Sequence, residues 1–188
     1  MKQGTRILGV AASAHDDTTH ATLGGAVVRV DRSVDGFVFD RATVGGLDAT
    51  DAVAAALDRL DRPDVRFLLL AGIAPAWYNL FDLPAIHEAA DRPVVAVSFE
   101  DSPGLEPALR EAFDGEALAR RLAIYGRQPA REAVSVPDGE VYVRAAGTDH
   151  ETAAELVRAT TPTGERPEPV RVARQAARAA DALLARER

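Results

Sequence analysis

The succession of apolar runs constrains this chain more than any other feature. Residues 6–12 form a short, nearly continuous apolar stretch, residues 22–30 a second β-rich run, and residues 34–44 a third. A polar stretch, 13–21, separates the first two, and Asp31-Arg32-Ser33 turns the chain into the third. Connections this short predict an antiparallel meander. After Gly45-Gly46 the pattern changes. Asp48 stands ahead of a helical segment at 49–60 with Asp51 in its first turn, an arrangement that favours an N-cap and suits the positive end of a helix. The run 65–73, with Phe67, Leu68, Leu69 and Leu70, predicts a central strand covered on both faces.

The remainder continues the alternation. Helices are expected at 83–90, 104–113, 115–125 and 149–160, strands at 93–99 and 140–146, and a closing Ala/Arg-rich helix at 170–186. Residues between Pro129 and Glu140 read as irregular. A three-strand meander extended by right-handed crossovers gives a mixed sheet flanked by helices. The expected fold class is therefore α/β, a single domain over 1–188 with a ribonuclease H-like sheet. Ligands in such a sheet sit beyond the carboxyl ends of the parallel strands, near residues 11–13 and 71–76.

Composition narrows the setting. Of 188 residues, 47% are hydrophobic and 27% charged, enough apolar surface to offset the entropy of ordering a core. Cysteine is absent, which excludes disulfides, thiolate zinc sites and thiol catalysis. With no apolar run of about 18 residues, no membrane span is expected, and the N-terminus is too β-like for a signal peptide. The expected location is the cytoplasm. The formal charge is −7, Lys2 is the only lysine, and alanine fills 37 positions. Such a balance suits a salt-rich cytoplasm or follows from a G+C-rich genome, and argues against a general electrostatic grip on nucleic acid while leaving room for a local basic patch.

Specific stretches carry a family resemblance. They are Arg6-Ile7-Leu8-Gly9-Val10, Val34-Asp35-Gly36, Leu70-Ala71-Gly72-Ile73 and the most specific one, Thr43-Val44-Gly45-Gly46-Leu47-Asp48-Ala49-Thr50. Pro93-Val94-Val95-Ala96-Val97-Ser98 and Glu168-Pro169-Val170-Arg171-Val172-Ala173 extend the pattern along essentially the whole chain. In order and spacing it resembles the endonuclease dU family, an archaeal group related to endonuclease V. The resemblance implies nucleic acid as partner, deaminated-base DNA as target, and phosphodiester cleavage assisted by Mg or Mn. It also implies aspartates after the first strand and after the fourth, where this sequence has Ala11, Ala12 and Ala71. A histidine of the last helix is replaced by Arg174. Methyl groups cannot ligate magnesium, so the implied metal centre is expected to be eroded, with no cofactor as the alternative to Mg or Mn.

Relocated ligands are the alternative. His15, Asp16, Asp17 and His20 gather in the first hairpin as a candidate metal set, with Asp16, Asp17 and Asp48 as candidate catalytic carboxylates. An exposed polar turn explains the hairpin equally, and N-capping explains Asp48. Trp77, Tyr78 and Asn79 follow a central strand, where rings can stack on a base and an amide can read its edge. Packing against the sheet or a partner chain is the competing role. Arg171, Arg174 and Arg178 fall on one helix face, suited to phosphate or simply solvated beside Glu168, Asp181 and Glu187. Three functions stay open: a binding protein with an eroded site, a nuclease with moved ligands, and a structural protein whose alanine-rich helices and apolar loop join copies into a homo-oligomer.

Overall fold

The computed structural model describes residues 1–15 and 18–186. The three expected first strands are present as β1 (Arg6–Ser13), β2 (His20–Arg29) and β3 (Val34–Thr43), paired antiparallel in sequence. Then α1 (Ala49–Leu60) crosses over to β4 (Val65–Ala71), parallel to β1. A single turn, α2 (Pro75–Tyr78), and α3 (Leu83–Ala90) lead to β5 (Val94–Ser98), parallel to β4. α4 (Glu106–Ala112) and α5 (Gly115–Gly126) follow, then the hairpin β6 (Glu132–Val136) and β7 (Gly139–Ala146), and finally α6 (His150–Thr160) and α7 (Glu168–Ala185). The seven strands form one mixed sheet in the order β3-β2-β1-β4-β5-β7-β6.

The region expected to be irregular contains β6. Its alternation is only five residues long, and as the outermost strand it buries Val134 while most of its length stays open. Such an edge strand carries too short a period-two signal to stand out from a loop. β7 pairs antiparallel with β5, which ends the parallel part of the sheet.

Strand alternation divides the core between the two faces. Leu8, Val10, Leu68 and Leu70 pack with Val53 and Leu57 of α1 and Ile86 of α3. Ile7, Leu69, Val95 and Val97 face the other way, onto Ala153, Leu156 and Val157 of α6 and Val170 of α7. On that second face α7 lies directly against β1 and β2, because the strands are bare where it crosses. A Cβ on Gly9 would land on the Pro169 carbonyl, and one on Gly24 would come within 2.9 Å of Ala173 O and Ala177 Cβ. These two glycines set α7 close over the end of β1, and so fix where Arg174 stands. Among the described residues, no helix is long and apolar enough to cross a membrane.

Candidate nucleic-acid interface

The carboxyl ends of β1 and β4 open into a cleft. Its inner part is a cavity of about 220 Å³ lined by Ala11, Ala12, Ala14, Ala21, Ala71, Ala74, Pro75, Ala76 and Arg174. Ala11, Ala12 and Ala71, the positions implied to carry metal ligands, thus meet in one cavity, where their side chains offer no oxygen donor. Among the described residues, the only charged side chain lining it is Arg174. Divalent magnesium or manganese is ordinarily held by carboxylates together with other oxygen donors, and the described side chains lining this cavity supply none. Among the described residues no group of three or more His, Asp or Glu side chains is arranged to hold an ion. The described side chains at these positions do not fit the implied metal.

The hairpin candidates divide. Asp16 and Asp17 lie outside the described residues. The His15 Nδ1 pairs with Asp181 at 2.6 Å, while His20 Nδ1 meets its neighbour Thr19 at 2.9 Å. These two histidines are therefore engaged with different groups. Asp181 does not lie on a solvated face beside the arginine stripe. Instead it is buried, 2% exposed, and accepts from the Ser13 hydroxyl at 3.2 Å and the Thr22 hydroxyl at 3.4 Å. It ties α7 to the ends of β1 and β2.

Asp48 stands at the N-cap position of α1, but its side chain caps nothing there. The carboxylate accepts from the Thr43 backbone N–H at 2.9 Å, the Thr43 hydroxyl at 2.6 Å and the Asn79 amide at 2.6 Å. Burial pushes its pKa up, yet the bonds from Thr43 and Asn79 outweigh it and hold the group below the usual aspartate value. The helix is capped by another residue: Asn79 Oδ1 accepts the Ala49 N–H at 3.0 Å, and its nitrogen also donates to Thr43 O at 2.8 Å. Asn79 is fully buried. The reading of Asn79 as a base contact is corrected on that ground, since its amide is committed on both sides. Likewise the Asp48 oxygens are engaged by Thr43 and Asn79, and Asp48 is not among the residues lining this cavity.

Trp77 and Tyr78 do reach the surface region. Ala76, Trp77 and Tyr78 all have positive φ, 49°, 53° and 59°, a left-handed turn built without glycine. Each such residue costs about 1–2 kcal/mol. The turn is held from several sides. Ala76 O accepts from Gly45 N at 2.8 Å, and Tyr78 O accepts from Arg121 Nε at 3.2 Å. Arg121, missed in the sequence, is almost fully buried, donates to the Gly45 and Gly46 carbonyls, and lies 3.7 Å over the Phe113 ring. Burial lowers its pKa without discharging it. Trp77 leans on Phe113, centroids 5.1 Å apart, and remains 57% exposed. Phe81, by contrast, is entirely in the core.

The arginine stripe also divides. Arg171 forks onto Glu168, Nε to Oε2 at 2.7 Å, and its charge is matched. Arg174 is exposed and faces the cleft, its pKa lowered by burial of part of the side chain and by the neighbouring Arg178 and Arg166 charges.

Comparisons with known proteins agree with this architecture. A UPF0215 protein of Thermococcus kodakarensis is 37% identical over 160 residues, covering 84% of this chain and 80% of that protein. The crystal structure of a protein of unknown function from Archaeoglobus fulgidus superposes with a TM-score of 0.82 at 28% identity, covering 94% of this chain and 98% of that one. Endonuclease V of Ciona intestinalis, crystallised with a 24mer DNA containing an inosine followed by a ribo-adenosine, superposes with a TM-score of 0.63 at 14% identity, covering 96% and 87%. The last likeness shows that the chain shares the fold of endonuclease V, with the mixed α/β sheet expected from the strand order. The family model for Endonuclease dU matches residues 3–181, and the chain belongs to that family.

Proposed function

We propose that this chain binds nucleic acid in the cleft at the ends of β1 and β4 and does not cut it. The observation that carries the reading is the cleft floor itself: Ala11, Ala12, Ala71 and Ala74 converge there, and among the described residues the sole charged side chain lining it is Arg174. A phosphodiester cleaved with a divalent ion needs carboxylates to hold the ion and activate water. Phosphate binding needs only the cation, and a guanidinium fork supplies it.

Trp77 adds the second contact. Its exposed indole stands on a strained turn beside the same cleft, since Ala74, Pro75 and Ala76 form one wall of it. Strain of this kind persists where the surroundings enforce it and commonly serves a binding function. A base stacked on an indole gains about 1–3 kcal/mol. The fold it shares with an endonuclease V that was crystallised on DNA supports nucleic acid as partner.

Trp77 is the only tryptophan, so its fluorescence reports the contact directly. Titrating the full chain with a single-stranded oligonucleotide in EDTA should quench it saturably, and Trp77→Ala, followed by anisotropy of a labelled strand, should weaken binding about tenfold or more. Absence of binding with and without magnesium, at low and at high salt, would overturn the proposal.

A further inference from the structure

A second, larger cavity of about 520 Å³ continues from the alanine-floored one, sharing Ala71, Ala74 and Arg174 with it. Its volume lies in the range of small-molecule sites. Among the described residues, four arginines line it, Arg131, Arg144, Arg166 and Arg174, against one acidic residue, Glu100. In a chain with 29 acidic and 22 basic side chains this is an inversion of the overall charge. Many of the other arginines face carboxylates, as in Arg59–Asp40, Arg110–Glu106 and Arg171–Glu168. Here they do not. Arg131 has only the exposed Asp101 at 3.9 Å, and among the described residues Arg144, Arg166 and Arg174 have no carboxylate in contact.

These guanidiniums are held by neutral groups instead. Arg131 lies 3.8 Å over the Tyr142 ring and donates to Ser102 O at 2.9 Å. Arg144 donates to Pro129 O and sits 5.6 Å from the Tyr125 ring centroid. Arg166 lies 4.3 Å over Phe99. Ring faces and carbonyls orient a guanidinium while leaving its charge uncancelled and part of its N–H edge free. Burial depresses the pKa values of Arg144 and Arg174, the mark of positive charge held without a counter-ion.

We propose that the larger cavity receives the phosphate monoester of a nucleotide without a metal ion. A phosphodiester carries one negative charge, whereas a monoester near neutral pH carries about −1.5 to −2, the better match to four guanidiniums and one carboxylate. Tyr125, Phe99 and Leu105 line the same cavity and offer apolar surface to a sugar or base. The site deepens the strand-binding reading and rests on it, because the two cavities share Arg174. The monoester is either a free nucleotide or the phosphorylated end of a strand.

The test compares labelled oligonucleotides bearing a 5′-phosphate, a 3′-phosphate or only hydroxyl ends, in EDTA, with AMP and adenosine as competitors. A phosphorylated end should bind at least tenfold tighter than the hydroxyl strand if the source is a strand terminus. Competition by AMP and not adenosine identifies the free nucleotide, and either result supports the site. Arg166→Gln and Arg174→Gln should each reduce the preference severalfold, while Arg110→Gln, a surface arginine paired with Glu106, should leave it unchanged. Equal binding of all three strands with no effect of AMP overturns the monoester site and leaves strand binding standing. A phosphate preference seen only with added magnesium also overturns it. Failure of every strand and nucleotide to bind overturns both readings.

Discussion

Asn79 and Asp48 are joined by a 2.6 Å hydrogen bond across 31 residues of sequence, and the pair locks the loop after β4 onto the start of α1. Asn79 does what Asp48 was placed to do: its side-chain oxygen caps Ala49. Truncating it strands a fully buried N–H and a carbonyl. Each buried group left unpaired costs about 1–3 kcal/mol. Asn79→Ala should therefore lower stability by about 2–4 kcal/mol in urea denaturation, and a loss under 0.5 kcal/mol would contradict this role.

Acid should weaken the same junction. Asp48 has a folded pKa below its unfolded value, so its contribution is fully present above the unfolded value of about 3.9 and is lost as pH falls through the lower, folded one. Stability of the native chain measured against pH should decline in that window. Asp48→Asn should be less stable at neutral pH and should show a shallower decline, and a parallel displacement of the whole curve would count against the assignment.

The left-handed turn yields a prediction of opposite sign. Ala76 sits at φ 49° and ψ 57°, a conformation glycine adopts freely and alanine does not. Ala76→Gly should stabilise the protein by about 1 kcal/mol. Trp77→Gly should likewise be about 1 kcal/mol more stable than Trp77→Ala, since both lack the indole and differ only in backbone preference. Thermal or urea midpoints ordered the other way would show that the turn is not strained.

The sequence exposed these relationships unevenly. Runs such as Phe67-Leu68-Leu69-Leu70 and the punctuation around α1 and α3 made the strands, their order and most helices readable, because periodicity and breakers are local signals. The convergence of Ala11, Ala12 and Ala71 was also readable, through the family pattern. What could not be read was partnership. Whether an Asp at a helix start caps it, as expected of Asp48, depends on what the chain brings alongside, and Asn79 arrives from 31 positions away. Arg121 went unnoticed and Asp181 read as part of a solvated face for the same reason: their partners are backbone carbonyls of a distant loop and the hydroxyls of β1 and β2. The arginines of the larger cavity come from β7, α7 and two loops, so no segment announces them.

Salt dependence separates the two kinds of strand contact. For a single strand, log K falls with log salt at about −0.7 per phosphate neutralised. Arg174→Gln should reduce that slope by roughly this amount. Trp77→Ala should lower affinity while leaving the slope unchanged, because stacking releases no counter-ions. Equal slopes for the native chain and Arg174→Gln would remove Arg174 from the interface.

The most direct measurement places binding and incision side by side on one substrate. Full-length protein is mixed with uracil- or inosine-containing DNA, once with manganese and once with EDTA, at low and high salt, and both bound and nicked fractions are read. A cleft floored by methyl groups predicts the same affinity in both solutions and no nicking in either. Manganese-dependent nicking that disappears with EDTA would contradict it.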